Sequence, residues 1–292
     1  MIDTDRCQAT LPAREPIAAP RHAVKPAPTF LSKLMRLPRV AGSCALRLGG
    51  ITAPLCRGGW WIAWAIAIGI LPVMISFAFG IPGHQWFSAL LLAALCLGLV
   101  REDAWFRGMG LIGLTFAAHS VVVIALSTAA PQRTSAILPH ANAYWQKQQT
   151  WIKTGEDPEY RLEAWVPAHL QLLAASSLFT FTSLGTVTFG QGFYEVDLMN
   201  FYNAQLLARS QSLPLALLLG WHVWSVLRGL GYLVLTFEII SLSLAVWSGK
   251  RLSSWRTRAG RWGAGLGLLA ADGVAKFLLL DVVRQQLEIN LL

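Results

Sequence analysis

The chain has 292 residues, 54% of them hydrophobic and only 13% charged, with a formal net charge of +9 and a mean hydropathy of +0.49. A charged share about half that of an ordinary soluble domain leaves too few polar residues to clothe a soluble surface. This excludes a soluble globular protein and a wholly disordered chain, and it points to an all-α, polytopic transmembrane helical bundle.

Residues 1 to 58 carry nine Lys or Arg against three acids. The stretch to about Pro28 is Ala, Pro and charge without hydrophobic period, and reads as a disordered cytoplasmic arm. Residues 30–48 interleave Phe30, Leu31, Leu34, Met35, Leu37 and Val40 with Lys33, Arg36 and Arg39, the pattern of an interfacial helix or of a linker, with Pro38 as a break. No apolar run long enough for a signal peptide precedes Trp60. Cys7, Cys44, Cys56 and Cys96 form no CxxC pair, so neither a disulfide framework nor a zinc site is indicated.

The hydrophobic segments begin with residues 60–80, which contain Pro72. They continue with 86–100 after the turn IPGH, 109–130 after REDAWFR, and 167–190, rich in Ser and Thr. The third and fourth are separated by the one sizeable polar loop, residues 131–166, with four basic and four acidic residues. That neutrality suits the external side. Residues 191–212 are too polar to span by composition, and read as an interfacial helix. The apolar stretch 213–247, 35 residues long, then divides near Arg228, Gly229 and Gly231 into 213–228 and 231–247, a pair short enough for a re-entrant hairpin. Residues 262–283 close the series.

The division follows from charge. Residues 248–262 carry five basic residues and no acid, and only an even passage through 213–247 returns them to the side of the N-terminal arm. The reading is therefore about seven hydrophobic segments, N-terminus in and C-terminus out, in the inner membrane of a bacterial cell. Both basic blocks adjoin apolar segments and the aromatics lie in or beside those segments, so lipid explains them and nucleic acid does not.

Ionisable residues at membrane depth are the candidates for function, because each costs about 2.5 to 3.5 kcal/mol at a helix centre even on a lenient scale. Asp272 and Lys276 share a helix face at i, i+4 spacing and can pair. Glu238 lies in the preceding segment, His222 in the one before it, and His119 alone in the third. Packing of the last three segments would join Glu238, Asp272 and Lys276, with His222 nearby, into a buried network. Such a network serves either as an ion or proton relay or as a register-fixing ion pair. Interfacial candidates are Glu195, Asp197, Asn200 and Asn203, which helical geometry spreads too widely for one compact metal site, and Arg228, placed to snorkel or to clamp an anion.

No catalytic set, cofactor or metal site is read from the sequence: HExxH, Walker A and GxSxG are missing, and no GxGxxG opens a helix after a strand. A cytoplasmic N-terminus, an external loop and the late histidine-containing stretch Gly220-Trp221-His222-Val223 resemble the layout of SpoIIM-type membrane proteins over residues 131–283. That family places Pro-His-Gly before a glutamate there; here no glutamate follows until Glu238, so no function transfers. The leading expectation is a transport or permease-like role for a small solute or ion. The alternatives are a non-catalytic assembly or scaffold protein, whose arm and 191–212 segment bind membrane-protein partners, and an intramembrane enzyme using His222 and Glu238.

Overall fold

The computed structural model describes residues 36–156, 162–210, 212–249 and 254–291. Among them every regular element is helical. Helix α1 (Arg36–Thr52) leads through a 3-10 turn (Ala53–Cys56) into α2 (Trp60–Phe79). Pro38 falls in the first turn of α1, where a missing N–H is tolerated. The N-terminal arm and residues 30–35 of the expected interfacial helix lie outside the described residues.

Helix α2 is apolar on every side, as a helix surrounded by other helices and lipid can be. It ends at Gly80, whose left-handed φ of 68° returns an N–H to the Ser76 carbonyl. Helices α3 (His84–Arg101) and α4 (Trp105–Ala129) follow after short turns. With α10 (Val223–Ser248), helices α2, α3 and α4 are long and apolar enough to cross a membrane. The sequence segments 60–80, 86–100 and 109–130 correspond to α2, α3 and α4.

Beyond α4 the structure departs from the sequence reading in three places. The polar stretch 131–166 contains two helices, α5 (Pro131–Ile137) and α6 (Ala141–Thr154), with Ile137, Trp145, Trp151 and Ile152 turned into a second apolar core. Segment 167–190 is divided at Gly185 (φ 89°) between α7 (Leu162–Ser183) and α8 (Thr186–Leu207). Residues 191–212, expected at the interface, instead belong largely to α8, and its residues 200–206 are buried without interruption. A helix enclosed by protein on most sides is freed from the composition that lipid imposes.

The third departure concerns 213–247. The break falls at Trp221–His222, between α9 (Leu213–Gly220) and α10, and α10 passes through Arg228, Gly229 and Gly231 without a turn. At Gly231 a Cβ would stand 3.0 Å from the Gly265 carbonyl oxygen. This glycine therefore serves close helix approach rather than a bend. Helix α11 (Trp255–Leu291) packs along α10; its 37 residues reach about 55 Å, well beyond the roughly 30 Å of a hydrocarbon layer.

Two cores result. The first joins α2, α3, α4 and α10 around Leu92, Cys96, Leu111, Phe237 and Ile240. The second joins α5, α6, α9 and the end of α11 around Trp151, Leu206 and Leu287. Helix α8 enters both, with Phe189 and Phe193 in the first and Phe201 and Tyr202 in the second. Its Gly185 end meets Ile240 and its Tyr202 meets His222. These contacts run α8 antiparallel to α10 over the same depth.

The N-terminal helix is locked on rather than laid on a surface. A Cβ at Gly42 would fall 2.5 Å from the Trp247 backbone, and Arg101 Nη1 donates to the Leu46 carbonyl at 2.9 Å. Cys56 is enclosed where the 3-10 turn meets α3, and burial pushes its thiol up to about 11, whereas Cys44 is exposed. In a Cys7→Ser background, maleimide at neutral pH is expected to modify Cys44 alone in the folded protein. Cys56 and Cys96 should react only after unfolding, as counted by intact mass; early reaction at Cys56 would mean that α1 and its turn are not docked.

Candidate functional site

A fully buried acid, Asp197, lies in the middle of α8 between Phe193 and Phe201 and thus at the junction of the two cores. Three donors converge on its carboxylate. His119 Nε2, from the middle of α4, lies 2.7 Å from Oδ1; His84 Nε2, at the first residue of α3, lies 3.1 Å from Oδ2; Gln85 Nε2 donates to Oδ2 at 2.6 Å. All four residues are buried. The ring of His119 is flanked by Phe193 at 4.8 Å, and Phe193 stacks on Phe116 at 4.3 Å. Among the described residues, the ion-pair partners of Asp197 are these two histidines, with no lysine or arginine.

The His84, His119 and Asp197 ligand atoms all lie within 4.8 Å of one another. Two imidazoles and a carboxylate can hold a proton between them, or a cation. The sequence reading weighed companions along one helix, whereas those of Asp197 come from α3 and α4. Glu195 is exposed and accepts a hydrogen bond from Gln191 at 2.7 Å.

A polar seam continues from Asp197 along α8. Asn200 is fully buried, and neither its Nδ2 nor its Oδ1 has a hydrogen-bond partner among the described residues. The same holds for Asn203 Oδ1, the Tyr202 hydroxyl, Ser120 Oγ and His222 Nε2. Asn203 donates from Nδ2 to the Met199 carbonyl at 2.9 Å and presses its Oδ1 against Gly220, where no Cβ could fit. His222, at the break before α10, stacks on Trp224 at 4.6 Å and meets Tyr202 at 5.8 Å.

The charges expected to form one network separate into two. Arg228 grips Asp272 with two hydrogen bonds, Nε to Oδ2 at 2.9 Å and Nη2 to Oδ1 at 3.2 Å, and Lys276 is buried one turn beyond. Glu238 instead faces Arg261 at 3.2 Å and Arg258 at 3.2 Å, while Arg258 also donates to the Glu238 carbonyl. The cause is the antiparallel register of α10 and α11: ten residues along α10 separate Arg228 from Glu238, about 15 Å of helix, and eleven along α11 separate Asp272 from Arg261. Glu238 thus belongs to a basic end of the bundle. There Arg57 and Arg107 bracket Glu102 at 3.3 and 3.0 Å, and Arg261 lies over the Trp105 ring at 5.1 Å. Arg228, expected in a turn, sits in the second turn of α10.

No protein-family model matches the sequence, and neither a curated protein nor a solved structure matches the chain.

Glu238→Ala would leave the buried Arg258 guanidinium without its carboxylate. Removing one partner of a buried pair costs about 3–5 kcal/mol, so a marked drop in the unfolding midpoint in detergent is expected. Arg261→Ala should cost less, since its side chain retains 19% exposure.

Proposed function

We propose that the protein is a multi-pass membrane transporter of permease type for a small ion or solute, with Asp197 and the seam beside it as the polar path through the bundle. The observation that carries this reading is the Asp197 carboxylate itself, enclosed between apolar cores and held by two imidazoles and an amide. An ionisable group at that depth is costly to keep and so points to a function. The seam supplies further polar atoms without partners among the described residues, at Asn200, Asn203 and His222. The Arg228–Asp272 pair and Lys276 extend it on α10 and α11.

Seven crossings fit this reading. To the four apolar helices it adds α7, α8 and α11, of 22, 22 and 37 residues, each long enough for a hydrocarbon layer of about 20 helical residues. Helix α8 then takes the crossing that sequence alone assigned to a divided 213–247. The basic end, with Arg57, Arg101, Arg107, Arg256, Arg258 and Arg261, is the cytoplasmic one by the positive-inside rule. This keeps the N-terminus in and the C-terminus out, as in a bacterial inner membrane.

Two experiments test it. In proteoliposomes, Asp197→Asn should remove flux of the transported ion while leaving a monodisperse protein, and unchanged flux would remove Asp197 from the path. In a cysteine-free background, Gln132→Cys should be labelled from outside intact cells and Thr257→Cys only after permeabilisation; the reverse pattern would invert the orientation.

A further inference from the structure

We propose that His84, His119 and Asp197 form a binding site for one divalent transition-metal cation of the zinc class, the buried Asn200 standing beside its remaining coordination position. The proposal rests on the reading above for the site's place in the membrane, though not for its ligands.

The donor set is the first argument. Two imidazole nitrogens and one carboxylate oxygen suit borderline cations such as Zn2+ and Co2+ better than Mg2+ or Ca2+, which favour oxygen alone. The ligand atoms are nearly in place. A cation about 2.0–2.2 Å from each ligand separates tetrahedral ligand atoms by about 3.3–3.6 Å, and here the nitrogens stand 2.7 and 3.1 Å from the carboxylate oxygens. The two imidazoles meet different oxygens of the carboxylate, and no two of the three ligand atoms lie more than 4.8 Å apart, so side-chain rotation alone can gather them about one ion.

Charge is the second argument. The carboxylate has no arginine or lysine partner among the described residues, yet two imidazoles face it where a single imidazolium would neutralise it. The second imidazole adds nothing to that neutralisation and gives a metal a further nitrogen ligand. Orientation is the third. Gln85 fixes the carboxylate by its 2.6 Å bond to Oδ2, the kind of outer contact that holds a ligating carboxylate in place. Asn200, three residues after Asp197 and so on the same helix face, is fully buried with both amide atoms unpartnered among the described residues. It can supply an oxygen ligand or hold a ligating water.

The test uses the full chain in detergent, stripped with chelator, in a Cys7→Ser, Cys44→Ser background so that free thiols are not the ligands. Titration with Zn2+ alone should show one equivalent bound, and Co2+ alone should develop the visible bands of a low-symmetry, four-coordinate ion. His119→Ala and Asp197→Asn should abolish both signals, His222→Ala should leave them unchanged, and Gln85→Leu should weaken binding about 10- to 100-fold. Absence of stoichiometric binding by the parent protein overturns the site, as does binding that survives Asp197→Asn. Should the ligand variants fail to fold, Gln85→Leu decides, since unchanged affinity there also overturns it. Metal binding without flux would sink the transport reading and leave the site standing; flux of another solute without metal binding would do the opposite.

Discussion

The carboxylate of Asp197 is the constraint around which the bundle is arranged. In apolar surroundings an isolated carboxylate is far too costly to keep, and only close donors make it tolerable. The protein supplies them from two helices: two imidazoles and an amide from α3 and α4 meet the buried acid of α8. Meeting that demand fixes the rotation of α8 about its axis and the depth at which His84 and His119 must stand. Once α8 is fixed, its Phe189 and Phe193 complete the first core and its Phe201 and Tyr202 the second. One polar requirement thus aligns two apolar clusters.

The remaining charges are sorted by depth. Glu238 is drawn to Arg258 and Arg261 at the basic end, and Asp272 to Arg228 about three turns away. Each acid is met by a planar guanidinium, whose fixed fork suits a buried carboxylate better than an ammonium does. Between the ion pairs α10 and α11 approach through Gly231 and Gly265, where added methyls would collide with the facing helix. Small residues here do the work that hydrophobic burial cannot do among helices already surrounded by apolar material.

Composition made the apolar helices α2, α3 and α4 legible because lipid and core ask the same of them. It concealed α8, because average hydropathy cannot distinguish a polar helix in water from one enclosed by protein. It misplaced the break in 213–247 for a similar reason: Gly229 and Gly231 beside Arg228 signal a turn and a close approach equally well. At the site, His119 is legible as the lone ionisable residue of an apolar run, and Asp197 is legible only as an interfacial residue. His84 was hidden in the turn IPGH and Gln85 passed without remark. The contacts of Asp197 span 78 and 113 residues, so no local spacing could announce them. The charged network failed because it assumed three helices abreast, where antiparallel pairing of two sets a different register.

The chain order of these groups matters for how such a protein is made. His84 and Gln85 begin α3 and His119 lies in α4, and all three precede Asp197 along the polypeptide. During synthesis the receptor for the acid is therefore complete before the acid itself leaves the ribosome. Helix α8, which composition alone would keep in water, arrives last of the three and finds its solvation already assembled. Its entry into the bundle is a templated event, and the template is the sequence that came before it.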